Sequence, residues 1–181
     1  MNQSIYTHVQ TATLTLDSST VAGNAQRGIY MDSHSGYNNL TVTNSTISQN
    51  GSDGIWFDRP LTLVVTDSAF TSNGSYLMSL TLDLAIEYSQ LSGNVASGNG
   101  HNDAIYLSGY LSGASILRNE IPTFVTPDLT VVDGATLTVE PGVVVKFTGP
   151  SIGLTVNGTL LSQGTSGSLV HFTSYQDDSV G

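Results

Sequence analysis

Between Leu14 and Asn94 the apolar positions fall into one repeated frame. The stretch "LTVTNSTISQN" puts Leu40, Val42, Ser45 and Ile47 at ten, eight, five and three residues before Asn50. Leu14, Leu16, Ser19 and Val21 stand in the same relation to Asn24, and Leu63, Val65, Ser68 and Phe70 to Asn73. Leu84, Ile86, Ser89 and Leu91 do so for Asn94, and a weaker copy, "GYLSGASILRN", carries Leu111, Ile116 and Asn119. The Asn-to-Asn spacings are 26, 23, 21 and 25 residues. Within each frame apolar and polar residues alternate, the period of a strand with one buried face. A repeat of this length without a Leu-rich signature or a helical segment predicts an all-β solenoid. Its coils of about 21–26 residues would each hold about three short strands and stack ~4.8 Å apart.

Asn at the end of each frame suits a bend, because it tolerates left-handed backbone and bonds nearby backbone groups. Stacked coils would place Asn24, Asn50, Asn73 and Asn94 above one another, so their amides would form a structural ladder. After the bend the next strand begins with "GIYM" at 28–31, "GIWF" at 54–57 and, past the insertion "GNGHND", "AIYL" at 104–107. These frames, over residues 5–119, resemble the right-handed parallel β-helix repeats of bacterial extracellular proteins and of many polysaccharide-degrading enzymes. The resemblance implies that architecture and no particular activity, because the repeats are structural.

From Leu129 the pattern changes. Strands are expected at Leu129–Val131, Leu137–Val139, Val143–Phe147, Leu154–Val156 and Val170–Phe172, separated by Gly or Pro-Gly. "TLTVEPGVVVKF" and "VNGTLLSQGT" resemble the opening coils of bacterial β-helix proteins, with Glu140-Pro141-Gly142 and Asn157-Gly158 at the turns. The prolines of "NEIPTFVTPD" cannot donate to a ladder. The expected organisation is therefore β-helix coils over 1–118, a junction over 119–128, and opening coils of a second segment over 129–181. This order reads as a slice through a tandem array whose open coil ends invite head-to-tail self-association.

Composition narrows the partners. Only 10% of the 181 residues are charged, and 4 basic residues face 14 acidic ones for a formal charge of -10. Nucleic acid and anionic membrane need Lys and Arg, so neither is an expected partner. No apolar run reaches the length of a membrane-spanning helix. Cys is absent, which excludes disulfides and thiolate metal sites.

Candidate chemistry is sparse. "DSHSG" at 32–36 and "NGSDG" at 50–54 resemble motifs of polygalacturonase-type hydrolases, but His34 precedes Asp53, no paired Asp-Asp lies between them, and the basic element is missing. No catalytic residue and no metal ligand set is assigned. No cofactor is expected; a structural Ca2+ among Asp17, Asp32, Asp53, Asp58 and Asp67 is the one ion the acidic residues admit. A threonine face fails as well, because Thr41 and Thr43 are flanked by Thr15 with Asp17 and Val64 with Thr66. His8, His101 and His171 have no metal-ligand spacing and read as surface or turn residues.

One column remains. If Ile29 and Met31 point inward, Tyr30 points outward, and Tyr6, Trp56 and Tyr106 hold the same place in their coils, with Ser79 between. This stripe is a candidate contact surface for another protein or a glycan. The expectation is a non-enzymatic structural module of an extracellular or cell-surface protein, adhesin-like or fibre-forming. The alternative is a carbohydrate-binding or polysaccharide-cleaving β-helix that uses the stripe with Asp32, Asp53 or Asp58.

Overall fold

The computed structural model describes residues 5–9, 11–33, 36–83, 91–121, 123–149 and 153–181. The first coil consists of β1 (Ile5–His8), β2 (Thr13–Asp17) and β3 (Thr20–Ala22). The second holds β4 (Ile29–Asp32), β5 (Asn38–Thr43) and β6 (Thr46–Ser48), and the third β7 (Ile55–Asp58), β8 (Pro60–Thr66) and β9 (Ala69–Thr71). The fourth adds β10 (Met78–Leu82), β11 (Leu91–Ser92) and β12 (Val95–Ser97). Equivalent strands of successive coils pair in parallel and build three sheets: A from β1, β4, β7 and β10; B from β2, β5, β8 and β11; C from β3, β6, β9 and β12.

The alternation read from the sequence sets the registers. Leu16, Val42, Val65 and Leu91 stack in sheet B, Val21, Ile47, Phe70 and Ala96 in sheet C, and Ile29, Ile55, Met78 and Ile105 in sheet A. Apart from Leu16 and Ala96, which are partly buried, every one of these residues is buried, so the core is a continuous column inside the coils. Burial of each such side chain stabilises by about 1.5–3 kcal/mol, which in the absence of disulfides supplies the cohesion.

The coil changes shape at its fifth turn. There β13 (Ile105–Leu111) is one bent strand: its first half pairs with β15 (Thr123–Thr126) and its second half with β16 (Leu129–Val131). Gly109 makes the bend at φ 97, where a Cβ would meet the Leu82 carbonyl oxygen at 2.2 Å. The stretch 119–128, expected to be a junction, thus carries β15, and sheet A runs across it through β18 (Val144–Phe147) to β21 (His171–Ser174). β19 (Leu154–Val156) stacks on β16, and β14 (Ala114–Leu117), β17 (Thr136–Val139) and β20 (Thr159–Ser162) form a separate sheet D. In the last coil Val156, Leu161, Leu169 and Phe172 are exposed.

Candidate functional site

Two corners are built alike. Between sheets B and C, Ser18, Asn44, Asp67 and Gly93 take left-handed backbone (φ 49 to 68), and between C and A, Gly23, Gln49, Ser72 and Gly98 do so (φ 54 to 71). The residue following each left-handed position turns its side chain along the solenoid axis. At the first corner Ser19 N–H donates to Ser45 Oγ (3.0 Å), Ser45 N–H to Ser68 Oγ (3.1 Å), and Ser68 N–H to Asn94 Oδ1 (3.1 Å).

At the second corner the rungs are bidentate. Asn24 Nδ2 donates to Asn50 Oδ1 (2.7 Å), Asn50 Nδ2 to Asn73 Oδ1 (2.9 Å), and Asn73 Nδ2 to Asn99 Oδ1 (2.8 Å), with each backbone N–H donating to the same oxygen. Each inner amide returns its other proton to a core residue's carbonyl one coil back: Asn50 to Val21, Asn73 to Ile47 and Asn99 to Phe70. The ladder ends where Asp103 Oδ1 accepts from both Asn99 N–H (2.9 Å) and Asn99 Nδ2 (2.7 Å). A carboxylate suits the last rung because it accepts without needing to donate.

The ladder expected at Asn24, Asn50, Asn73 and Asn94 is therefore corrected at its last member. Asn94 tops the serine column, its Nδ2 on the Val65 carbonyl (2.6 Å), and Asn99 is the fourth rung. The left-handed conformation falls on the residue before each Asn. Asn119 pairs with Glu140 through its backbone N–H and lies outside the ladder.

Gly51, Gly74 and Gly100 follow the rungs for a steric reason. A Cβ there would lie 2.2 to 2.4 Å from the carbonyl oxygens of Ala25, Gly51 and Gly74 in the preceding coil.

The outward side chains of sheet A split into two clusters. Tyr6, Tyr30 and Trp56 are in register; Tyr6 stacks on Tyr30 with centroids 5.2 Å apart, and Trp56 lies tilted to Tyr30 by 59° at 4.7 Å. The Arg27 guanidinium lies 4.8 Å from the Tyr30 ring and 5.2 Å from Trp56, and its Nε approaches Asp53 Oδ2 at 3.4 Å. The rings thus pack on one another and on a cation, which favours cross-strand cohesion. Tyr106 belongs to the second cluster. Its ring packs on Tyr76 (5.2 Å), Tyr76 stacks on His101 (4.4 Å), and His101 Nδ1 bonds Tyr175 Oη (2.7 Å). Burial, then the Tyr175 and Tyr106 hydroxyls, pushes the Tyr76 phenol well above its usual range. Ser79, between the clusters in register, is buried.

Beside the first cluster lies a row of charges. His8 Nδ1 is 2.9 Å from Asp32 Oδ2, Tyr30 Oη donates weakly to the same oxygen (3.4 Å), and Arg59 Nε is 3.6 Å from Asp83 Oδ2. Asp58, next to Trp56, has its carboxyl pushed up by burial and by the charges of Asp32 and Asp83, against the pull of Arg59. Asp53 is not part of this row: it is 5% exposed and accepts from the Tyr76 N–H in a turn. His171 donates its backbone N–H to the Val143 carbonyl. His34 and the frame positions Leu84, Ile86 and Ser89 lie outside the described residues.

Further along the column of Tyr106, the register continues through Val125, Lys146 and Thr173. Lys146 is 2% exposed, and its Nζ donates to the carbonyls of Asp177 (2.8 Å) and Gly181 (3.3 Å) in the tail after β21. Asp177 accepts from Thr173 and Ser179, which with the Lys146 charge holds its carboxyl down at about 2. Sequence reading missed Tyr76, Asn99, Asp103 and Lys146. Among the described residues no group of three or more His, Asp and Glu side chains is placed to hold a metal ion, and no helix is long and apolar enough to cross a membrane.

Comparison with curated proteins and with solved structures gives no match. Residues 2–121 match the family described as right handed beta helix region, and with that share of its length the chain belongs to this family of right-handed parallel β-helices.

Proposed function

We propose that this chain is a non-catalytic structural module of an extracellular or cell-surface protein, a rigid stretch of solenoid that carries length and associates end to end. One observation supports this above the rest: the polar side chains of the corners are used up in axial ladders, and Tyr6, Tyr30 and Trp56 of sheet A pack on one another. Val156, Leu161, Leu169 and Phe172 expose apolar surface on which a further coil, of the same chain or of another copy, would stack. Sedimentation across a concentration range, with electron microscopy, tests the proposal. End-to-end rods are expected, and they shorten when Phe172 and Leu169 are changed to Ser; a monomer at every concentration would refute the association.

A second reading is carried by the charged row. Asp32, Asp58 and Asp83 with Arg59, on one face beside Trp56, bring together carboxylates and a cation as a carbohydrate-binding or polysaccharide-cleaving surface would. Release of reducing sugar from a polysaccharide panel, abolished by Asp58→Asn, would favour this second reading over the first.

A further inference from the structure

Sheet C stops at β12, and the stop leaves an edge. Val95 N–H donates to the Ser68 carbonyl and the Ser97 carbonyl accepts from Ser72 N–H, so both point back into the sheet. Strand alternation then turns the N–H and C=O of Ala96 to the other side, where no described strand pairs with β12. In the inner coils the donors at the two ends of each sheet C strand find carbonyls of the following coil: Asp67 N–H bonds Ser92, and Ser72 N–H bonds Ser97. At β12 carboxylates stand in their place. Glu120 Oε2 accepts from Gly93 N–H (3.1 Å), and Asp103 Oδ2 accepts from Gly98 N–H (3.2 Å) while its Oδ1 caps Asn99.

Between these carboxylates runs an open groove of about 430 Å³, lined by Asn94, Val95, Ala96, Asp103, Glu120 and Ile121 among others. Its floor is apolar. Ala96 is the small member of the inward column Val21, Ile47, Phe70, and Ile121 is buried beside it. Val95 is 62% exposed, as a side chain left without a neighbour on the next coil would be.

We propose that the free edge of β12 is a docking site for an extended peptide of another protein, added in parallel as the missing fifth strand of sheet C. The occupant has a basic–apolar–basic pattern. Its central side chain enters over Ala96 and Ile121, its backbone exchanges two hydrogen bonds with Ala96, and its flanking cations face Glu120 and Asp103. Charge also excludes a second copy of this chain as the occupant. With 4 basic residues in the sequence against 14 acidic ones, it holds no basic–apolar–basic segment.

The test uses a fluorescein-labelled Lys-Val-Lys-Val-Lys peptide, with Glu-Val-Glu-Val-Glu as its control, in anisotropy titrations against the full chain. Amide exchange at Ala96 is followed alongside. A small edge of this kind binds with a dissociation constant on the order of 0.1 mM, weakening with salt. The acidic peptide is expected to bind at least about tenfold more weakly. A chain carrying Glu120→Gln keeps an amide oxygen for the Gly93 N–H and leaves the Asp103 cap on Gly98 and Asn99 in place, and it too loses about threefold or more for the basic peptide. Its far-UV circular dichroism confirms the coil is intact. Exchange at Ala96 slows when the basic peptide is bound. Equal binding of both peptides, no binding at millimolar concentration, or binding that leaves Ala96 exchange unchanged would overturn the proposal. So would Ala96 protection that grows with protein concentration alone, which would place a second copy on the edge.

Discussion

Gly74→Ala separates two opposite expectations for one added methyl group. At an unstrained surface position, Gly to Ala stabilises by about 0.4–1 kcal/mol through the unfolded chain. Gly74 has no left-handed backbone to strain, so conformation alone would favour the change. The fold opposes it, since the new Cβ would lie 2.4 Å from the Gly51 carbonyl oxygen and 2.8 Å from its carbon. Those atoms are backbone and cannot rotate away, so two coils must separate by roughly 1 Å out of a ~4.8 Å spacing. That strain costs about 1–3 kcal/mol. The Gly74 N–H bond to the Asn50 carbonyl (2.8 Å) stretches with it, adding about 1 kcal/mol. The sum, about 2–4 kcal/mol of destabilisation, exceeds the unfolded-state gain. Two controls complete the series: Gly167 has nothing within 4 Å and ordinary backbone, and Gly134 has equal space but φ 76. Gly167→Ala is expected to be neutral or slightly stabilising, and Gly134→Ala to cost about 1 kcal/mol from backbone strain alone. Urea denaturation of the three variants, with amide exchange at Asn73 and Asn99 in case the coils melt separately, reads the difference. A Gly74→Ala protein as stable as Gly167→Ala would refute the close stacking of the corners.

Three further outcomes are expected. Asn73→Ala removes an amide that donates to Asn99 and Ile47 and accepts from Asn50, so it should cost about 3 kcal/mol or more, whereas Asn24→Ala at the ladder's end should cost about 1 kcal/mol, both by denaturant titration. The folded-state carboxyl of Asp177 lies below its ordinary 3.8, at about 2, so the turn it anchors keeps that contribution above pH ~4 and loses it as pH falls through about 2; carboxyl and Ser179 amide shifts in an NMR acid titration follow this. Asp58 is shifted the other way, chiefly by burial, so its ionised form opposes folding. Asp58→Asn should raise the melting temperature at neutral pH, by an amount that shrinks as acid protonates the wild-type carboxyl.

The solenoid was legible in the sequence because period-2 alternation and a recurring corner are local properties that survive without coordinates. What misled the reading of the fourth coil is a duplication: Ser92-Gly93-Asn94 and Ser97-Gly98-Asn99 are the same tripeptide five residues apart. Both corners demand a left-handed residue followed by a side chain that can accept from a backbone N–H, so either copy fits the frame. Only strand register decides, and Ala96 pairing with Phe70 puts Asn99, not Asn94, above Asn73. Tyr76 and Tyr175 escaped notice because they sit outside the strands, where periodicity says nothing. Lys146 was hidden because its burial depends on a tail that folds back from residues 177–181. The bend in β13 lets sheet A branch within one strand, toward β15 and toward β16, a feature marked in sequence only by Gly109.

The corners of the solenoid rest on axial ladders in a specific register, and a pair of double-mutant cycles tests that most directly. Asn73 and Asn99 changed singly and together to Ala should show a coupling of about 1 kcal/mol or more, because each removes the other's partner. The same cycle between Asn73 and Asn94, which stand in different columns, should be additive within about 0.5 kcal/mol. Coupling between Asn73 and Asn94 with none between Asn73 and Asn99 would contradict the register and the ladder built on it.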